Sequence, residues 1–336
     1  MIWLLTNFSL FFFSLFAEEL QLNKQYMQYI GIDMSKDTFH AAFDESTVTI
    51  FSNTKVGIKQ FIKLLPKDST IGVEATGVYH LLFARTCTEA GFSVMIINPL
   101  ITHRAIQSSL RRVKTDKHDA LAIRAVLSMG AGYLFTETPE LIALKALIQE
   151  RESLVRMRAE TKQMVHAHKA KELAAGLKLS NPYISVQKAF TKEIDALTEQ
   201  MAKFEQTTQA LLQSIPGVGP VTAAACAAYI GSIERFSSPE KLTAYVGLDC
   251  RVHQSGTSIH GKGFITKRGN TYLRTILFNA AFISRQYIPE LESFFEKKLS
   301  EGKHYFSASV AVERKLVHLI YAVWKRGTPY QARAIA

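Results

Sequence analysis

The sequence predicts a mixed α/β protein whose strands are confined to its first third. Up to about Leu134, short apolar runs bounded by turn residues alternate with helical patterns, which is typical of strands and helices packed in layers. Beyond Glu140 the chain is rich in Leu, Ala, Lys, Glu and Gln, which indicates long helices. We therefore expect an α/β domain at 27–137, a helical segment at 138–212 and a mostly helical domain at 213–336.

Three runs in the first domain, YIGID, TFHAAFD and TVTIFSN, predict strands joined by short turns, hence an antiparallel meander. An amphipathic helix, VGIKQFIKLLP, follows and ends at Pro66. The strand TIGVEAT, the helix VYHLLFARTCTEAG, the strand FSVMIINP, a basic segment and the helix DALAIRAVLSMG complete the domain. Three antiparallel strands followed by alternating helices and strands is the order of the ribonuclease H-like fold.

Two long helices, joined near Asn181 and Pro182, are predicted for the middle segment. An antiparallel helical pair and an oligomerising coiled coil both fit their pattern. The third domain opens with IPGVGPVTAA, a tight turn before a small-residue helix, as in helix-hairpin-helix motifs. Backbone amides at Gly217 and Gly219 would then bind a phosphate. The alternative is a loop that only permits close helix packing.

Positive charge is concentrated in two stretches of the chain. The net charge is +11, which favours a polyanionic partner, and an apolar fraction of 47% excludes a disordered chain. Residues 101–115 and 250–289 contain Lys and Arg but no Asp or Glu. The candidate nucleic-acid contacts in and beside these stretches are Arg111, Arg112, Lys114, Lys262, Lys267, Arg268, Asn270 and Arg274.

The cysteines and the N-terminal residues indicate in which cellular compartment the protein is expected. Cys87, Cys226 and Cys250 are far apart, so neither a disulfide framework nor a zinc site is expected, and a reducing cytoplasm fits them. Residues 1–26 contain a dense apolar run without a positively charged start, and we expect them to be a non-native extension before a true start at Met27. A signal or membrane segment is the alternative, although no membrane partner is expected.

Four acidic residues predict the chemistry. Asp33 lies in the first strand, Glu74 lies near the end of the fourth, and Asp116 and Asp119 are three apart where a helix begins. A carboxylate on a buried strand is unfavourable unless it is paired or binds a cation. Together the four could hold two Mg²⁺ ions, which prefer oxygen ligands and suit phosphodiester chemistry. Ser255 lies in a Gly/Ser/His-rich loop, and a serine in such a loop is ordinarily expected to be a solvated turn residue.

The ordered set of motifs resembles the IS110 family of insertion-sequence transposases, the DEDD-type enzymes related to the Piv DNA invertases. The matching pieces are GIDMSK, VEATGVY, Lys114 to Ala125, IPGVGPVTAA, RFSSPEKLTAYVGL, QSG and KRGNTYLR, which extend from Met27 to about Tyr287. Two features depart from the family pattern: the apolar extension, and Cys250 where a proline is expected.

The resemblance implies an activity and roles for single residues. Asp33, Glu74, Asp116 and Asp119 match the acidic tetrad of a RuvC-like domain that binds Mg²⁺. Ser255 matches a serine that attacks DNA and becomes covalently linked to it. The resemblance also implies a homo-oligomer, dimer or tetramer, whose active site is shared between protomers. A structured noncoding RNA from the element would guide the enzyme to DNA in the bacterial cytoplasm, at the nucleoid.

Two other functions remain open at this point. A Holliday-junction-type nuclease would use the acidic tetrad with water alone and would not need Ser255. A non-enzymatic scaffold would bind DNA through the helix-hairpin-helix motif, and its acidic cluster would be structural.

Overall fold

A computed structural model describes residues 28–75, 77–108, 116–250 and 265–332 of the chain. The described residues form two units that divide between Thr136 and Glu137. The first unit contains all of the named strands, and the second is helical. The mixed α/β class predicted from the sequence is confirmed.

A six-stranded mixed sheet forms the centre of the first unit, with strand order β3-β2-β1-β4-β5-β6. The first three strands are antiparallel neighbours, as the predicted meander requires. β4 and β5 then run parallel to β1, and β6 pairs antiparallel with β5. The strand bounds are β1 Tyr29–Met34, β2 Thr38–Ala42, β3 Val48–Ser52, β4 Thr70–Glu74, β5 Ser93–Ile97 and β6 Tyr133–Leu134.

Both faces of this sheet carry helices. The helices are α1 Lys55–Lys63, α2 His80–Glu89, α3 Pro99–Ser108 and α4 Asp116–Ser128. On one face the ring of Phe39 in β2 packs against Phe61 of α1 and Phe83 of α2, with ring centroids 5.5 Å and 4.9 Å apart. Residues that alternate with Phe39 point to the other face, where α4 packs on β1.

The helix α3 occupies part of the stretch predicted only as a basic segment. Asn98 and Pro99 start it directly after β5, because the Asn98 side-chain oxygen accepts a hydrogen bond of 2.9 Å from Leu100 N. Proline at the first helical position lacks only an N–H that would have no partner there. The helix α3 was not predicted from the sequence, because its start signal is only a short Asn-Pro turn.

The second unit consists of eight α-helices among its described residues. They are α5 Pro139–Ala175, α6 Tyr183–Met201, α7 Gln206–Gln213, α8 Pro220–Ile230, α9 Pro239–Val246, α10 Thr271–Ser284, α11 Pro289–Ser300 and α12 Tyr305–Arg326. Thr138 caps the start of α5 by accepting from Leu141 N, and Gly176, with φ 65°, ends it. Leu144 and Ile148 of α5 and Met201 of α6 belong to the same apolar core as α8, α10 and α12.

The second helix predicted for the middle segment was wrong as a single element. The helix α6 ends at Met201, and Glu205, directly before α7, adopts a left-handed conformation with φ 46°. The buried side chain of Gln209 donates 2.9 Å and 2.7 Å hydrogen bonds to the carbonyls of Met201 and Phe204. The side chain thus satisfies carbonyls that the interrupted helix leaves free, which stabilises the break.

Across the described ranges, no helix combines the length and the apolar character that crossing a lipid bilayer requires.

Candidate active site

Asp33 and Glu74 lie side by side near the C-terminal ends of β1 and β4, the two central strands of the sheet. β1 and β4 run parallel with Gly31 opposite Gly72, and the two acidic residues follow two positions further along each strand. Side chains two apart on a strand share a face, so both carboxylates lie on the face of the two glycines. Both residues are half-buried.

The helix α4 packs directly on that face. A Cβ atom on Gly31 would lie 2.2 Å from Ala120 O and 2.4 Å from Arg124 N, so only glycine permits this approach of helix to strand. Arg124 Nε donates a 3.0 Å hydrogen bond to the carbonyl of Tyr29, at the beginning of β1. The helix therefore runs antiparallel to β1, and its N-terminal end points toward Asp33.

That N-terminal end supplies the other two predicted acids. Asp116 is the first residue of α4, and the half-buried Asp119 follows one turn later, next to Ala120. The backbones of three elements thus bring the four acidic positions toward one end of one sheet face. Among the side chains that the structure describes, which exclude that of Asp116, no three His, Cys, Asp or Glu groups cluster so that they could hold a metal ion. As a donor set, four carboxylates are nevertheless the hard oxygen ligands that Mg²⁺ prefers.

Two residues near the acids were missed by sequence reasoning. Thr102, which is buried in α3, donates a hydrogen bond from its hydroxyl to Glu74 Oε2. His40 of β2 is the antiparallel register partner of Asp33, so its imidazole lies on the same face as that carboxylate. The alternation in TFHAA places His40 opposite the apolar face, but only the strand register pairs it with Asp33.

The described residues do not include Ser255, the predicted nucleophile, or four predicted nucleic-acid contacts: Arg111, Arg112, Lys114 and Lys262. The flanks of the serine segment are described, and they are held together. Cys250 and Ile265 form an antiparallel bridge, and Thr266 N donates a 2.9 Å hydrogen bond to Asp249 O. The Thr266 hydroxyl also donates to the Asp249 carboxylate.

In the KRGNTYLR block, two cationic residues are exposed, whereas Asn270 and Arg274 make hydrogen bonds within the chain. Lys267 and Arg268 are exposed to solvent. Asn270 caps α10, with its side-chain oxygen 2.9 Å from Leu273 N. Arg274 donates hydrogen bonds to Gly269 O at 2.7 Å, Val246 O at 3.1 Å and Thr271 Oγ1 at 3.2 Å. Among the predicted nucleic-acid contacts in this block, Lys267 and Arg268 therefore have the positive charges most accessible to a nucleic acid.

The two glycines between α7 and α8 have different surroundings. Gly217 has φ 91°, and a Cβ atom there would lie 2.3 Å from the hydroxyl and 2.5 Å from the amide nitrogen of Ser284 in α10. This close approach agrees with the packing interpretation of the loop. Gly219 caps α8, and no atom of the described residues lies within 4 Å of where its Cβ would be. The described part of the chain therefore leaves space beside the first turn of α8.

Glu313 of α12 is a buried carboxyl that the sequence did not single out. Glu313 is 2% exposed, and burial raises the pKa of its carboxyl to about 8, although the nearby Arg274 opposes the rise. A raised native-state pKa means that the folded chain binds the Glu313 proton more tightly than the unfolded chain does. This stabilisation is complete below the ordinary pKa of 4.5 and is lost as the pH rises through about 8.

Glu313→Gln is therefore expected to stabilise the chain increasingly as the pH rises, because glutamine is neutral at every pH. The unfolding free energy of the variant minus that of the wild type should be larger at pH 8.5 than at pH 4.5 by on the order of 4 kcal/mol. Urea unfolding at both pH values measures this difference. Glu296→Gln, at an exposed position of α11, is the matched control. A Glu313→Gln effect that is equal at the two pH values would contradict the raised pKa.

Comparisons with known families cover both units. A transposase family model for the DEDD transposases of IS110 elements matches residues 30–168, which include all four acidic positions. A second model, described as the transposase IS116/IS110/IS902 family, matches residues 209–296, which include Ser255 and the KRGN block.

Curated relatives align over nearly the whole chain. The pilin gene-inverting protein of Moraxella bovis is 29% identical over 329 residues, which cover 91% of this chain and 98% of the relative. The transposase for insertion sequence IS1111A of Coxiella burnetii is 25% identical, with 92% of each chain covered. The transposase for IS1328 of Yersinia enterocolitica is 26% identical and covers 90% of this chain and 98% of its own length.

The two central strands of a mixed sheet carry Asp33 and Glu74, and the DEDD family model matches the range that contains them. These findings identify the chain as a transposase, an enzyme that acts on DNA. The second family model and the full-length relatives narrow this class. The chain belongs to the IS110 family of transposases.

Proposed function

We propose that this transposase recombines the DNA of an insertion sequence by metal-assisted strand cleavage, exchange and rejoining. The proposal assigns Asp33, Glu74, Asp116 and Asp119 to a RuvC-like site for two Mg²⁺ ions, with Ser255 as the covalent nucleophile. The observation that carries it is the meeting of Asp33 and Glu74 on adjacent parallel strands with the N-terminal end of α4. Bound Mg²⁺ would polarise the scissile phosphate and stabilise the attacking and leaving oxygens.

The residues of the chain supply the remaining chemistry. Ser255 attacks the phosphorus, so that one phosphodiester P–O bond breaks and one serine–phosphate bond forms. The serine hydroxyl loses a proton, and the leaving strand end takes one up as a hydroxyl. Because the energy of the phosphodiester bond is conserved in the adduct, a strand-end hydroxyl can later attack it and rejoin the DNA. Exposed Lys267 and Arg268 are suited to neutralise phosphates beside the serine segment.

Partners are part of the proposal. We assign DNA to the exposed basic groups and to the open first turn of α8 at Gly219, in a helix-hairpin-helix manner. A structured noncoding RNA of the element supplies sequence choice by base pairing, and the protein assembles as a homo-oligomer. With the RNA choosing the sequence, the protein needs only to bind phosphates, which fits its net charge of +11 and a sequence in which we recognise no motif for reading DNA bases.

A recombination assay on supercoiled DNA tests this function. The wild-type chain, expressed from Met27, is incubated with a plasmid that carries the element ends, with the flanking noncoding RNA and with Mg²⁺. We expect rejoined recombinant junctions that disappear when the metal is chelated or the RNA is omitted. Metal-dependent nicks or breaks without rejoined products would support the nuclease alternative instead. Binding of DNA without any altered strand would support the scaffold.

A further inference from the structure

The hydroxyl of Thr102 is bonded in an unusual way for a threonine in a helix. A buried helical threonine commonly donates to a carbonyl one turn earlier in its own helix, and Pro99 O is available to it at 3.0 Å. Thr102 also directs its hydroxyl to Glu74 Oε2, which is 28 positions away in the sequence. A hydroxyl has one proton, so donation to the ionised carboxylate competes with donation to Pro99.

The backbone around Thr102 explains how the contact arises. Glu74 is the register partner of Ile97 at the end of β5, and Ala75 N donates a 3.1 Å hydrogen bond to Ile97 O. The Asn98-Pro99 turn then starts α3 immediately, so the first turn of α3 lies beside the end of β4. Thr102 is 1% exposed there, so water does not compete for its hydroxyl.

We propose that Thr102 is a positioning residue that holds the carboxylate of Glu74 in the orientation that binds a divalent cation. This inference rests on the proposed function, because it assumes that Glu74 is a metal ligand. The hydrogen bond from Thr102 to Oε2 restricts the rotation of the Glu74 carboxylate. Outer-shell hydrogen bonds of this kind fix the geometry of a ligand, and their loss typically weakens metal binding by about 10- to 100-fold.

Metal binding itself is the test, measured on the full-length chain by titrating Mn²⁺ and following the free ion by electron paramagnetic resonance. Thr102→Val keeps the shape and removes the hydroxyl, and we expect a Kd about 10- to 100-fold higher than that of the wild type. Thr102→Ser restores the hydroxyl and should bring the Kd to within a few-fold of the wild type. Thr86→Val is the matched control, because the Thr86 hydroxyl donates to Leu82 O of its own helix at 2.7 Å.

A double-substitution cycle separates positioning from a general structural effect. If Thr102 acts through Glu74, Thr102→Val added to Glu74→Gln should weaken Mn²⁺ binding no further than Glu74→Gln alone. Full additivity of the two substitutions, or an unchanged Kd in Thr102→Val, would overturn the role of Thr102 while leaving the metal site in place. A wild-type chain that binds no Mn²⁺ would overturn the metal site itself. Should Thr102→Val not fold, Thr102→Ser and Thr102→Ala, checked by circular dichroism, give the same comparison.

Discussion

Asp33→Asn is expected to lower the rate of DNA strand cleavage by more than about 100-fold, since loss of an outer-shell group alone can approach that figure. Asparagine has nearly the same shape as aspartate but no charge, so the fold should persist while the affinity of the site for a cation falls. Asp33 lies beside Glu74 and faces the N-terminal end of α4, so it lies between the other acidic positions of the proposed metal site. Cleavage of a labelled DNA substrate under single-turnover conditions measures the effect.

Asp37→Asn is the control for this substitution. Asp37 is exposed in the turn between β1 and β2, four residues from Asp33, and the same chemical change there should leave cleavage unaltered. Wild-type cleavage by Asp33→Asn would mean that the carboxylate is structural, as the scaffold alternative requires. Equal losses in both variants would indicate a general effect of charge near β1 and would equally contradict the proposed metal site.

Ser255→Ala is expected to abolish the joining of DNA strands, because no other group would then carry the covalent intermediate. Recombinant junctions should fall below detection in the assay on supercoiled DNA, while binding of DNA by the intact basic surfaces persists. Ser258→Ala, three residues away, is the matched control and should recombine at a rate near that of the wild type. Junctions formed by Ser255→Ala at the wild-type rate would remove Ser255 from the mechanism.

Most elements of the first unit were predictable because their signals are local, whereas the helix α3 and the strand β6 were not predicted. Apolar runs bounded by turn residues gave the meander and the two parallel strands, and Pro66 marked the end of the helical pattern that became α1. The break at Glu205 was not predictable in this way. Residues 202–205 contain good helix formers, and the break depends on the side chain of Gln209, which bonds carbonyls up to eight residues away.

The candidate site shows the same division between local and long-range signals. A carboxylate in an apolar strand is visible in the sequence, so Asp33 and Glu74 could be selected directly. Thr102 could not, because its contact with Glu74 depends on strand pairing between β4 and β5. Gly31 carried no signal either, since its need for glycine comes from the backbone of α4.

Trapping of the protein on DNA tests the central claim, a serine recombination centre that depends on the acidic tetrad, most directly. The wild type, Ser255→Ala and Asp33→Asn are incubated with Mg²⁺, guide RNA and labelled DNA, denatured, and analysed for label that migrates with the protein. We predict a covalent adduct in the wild type alone, with the label mapped by mass spectrometry to the peptide that contains Ser255. Metal-dependent cleavage that persists in Ser255→Ala, with no adduct in any of the three proteins, would contradict the account and identify a nuclease that uses water.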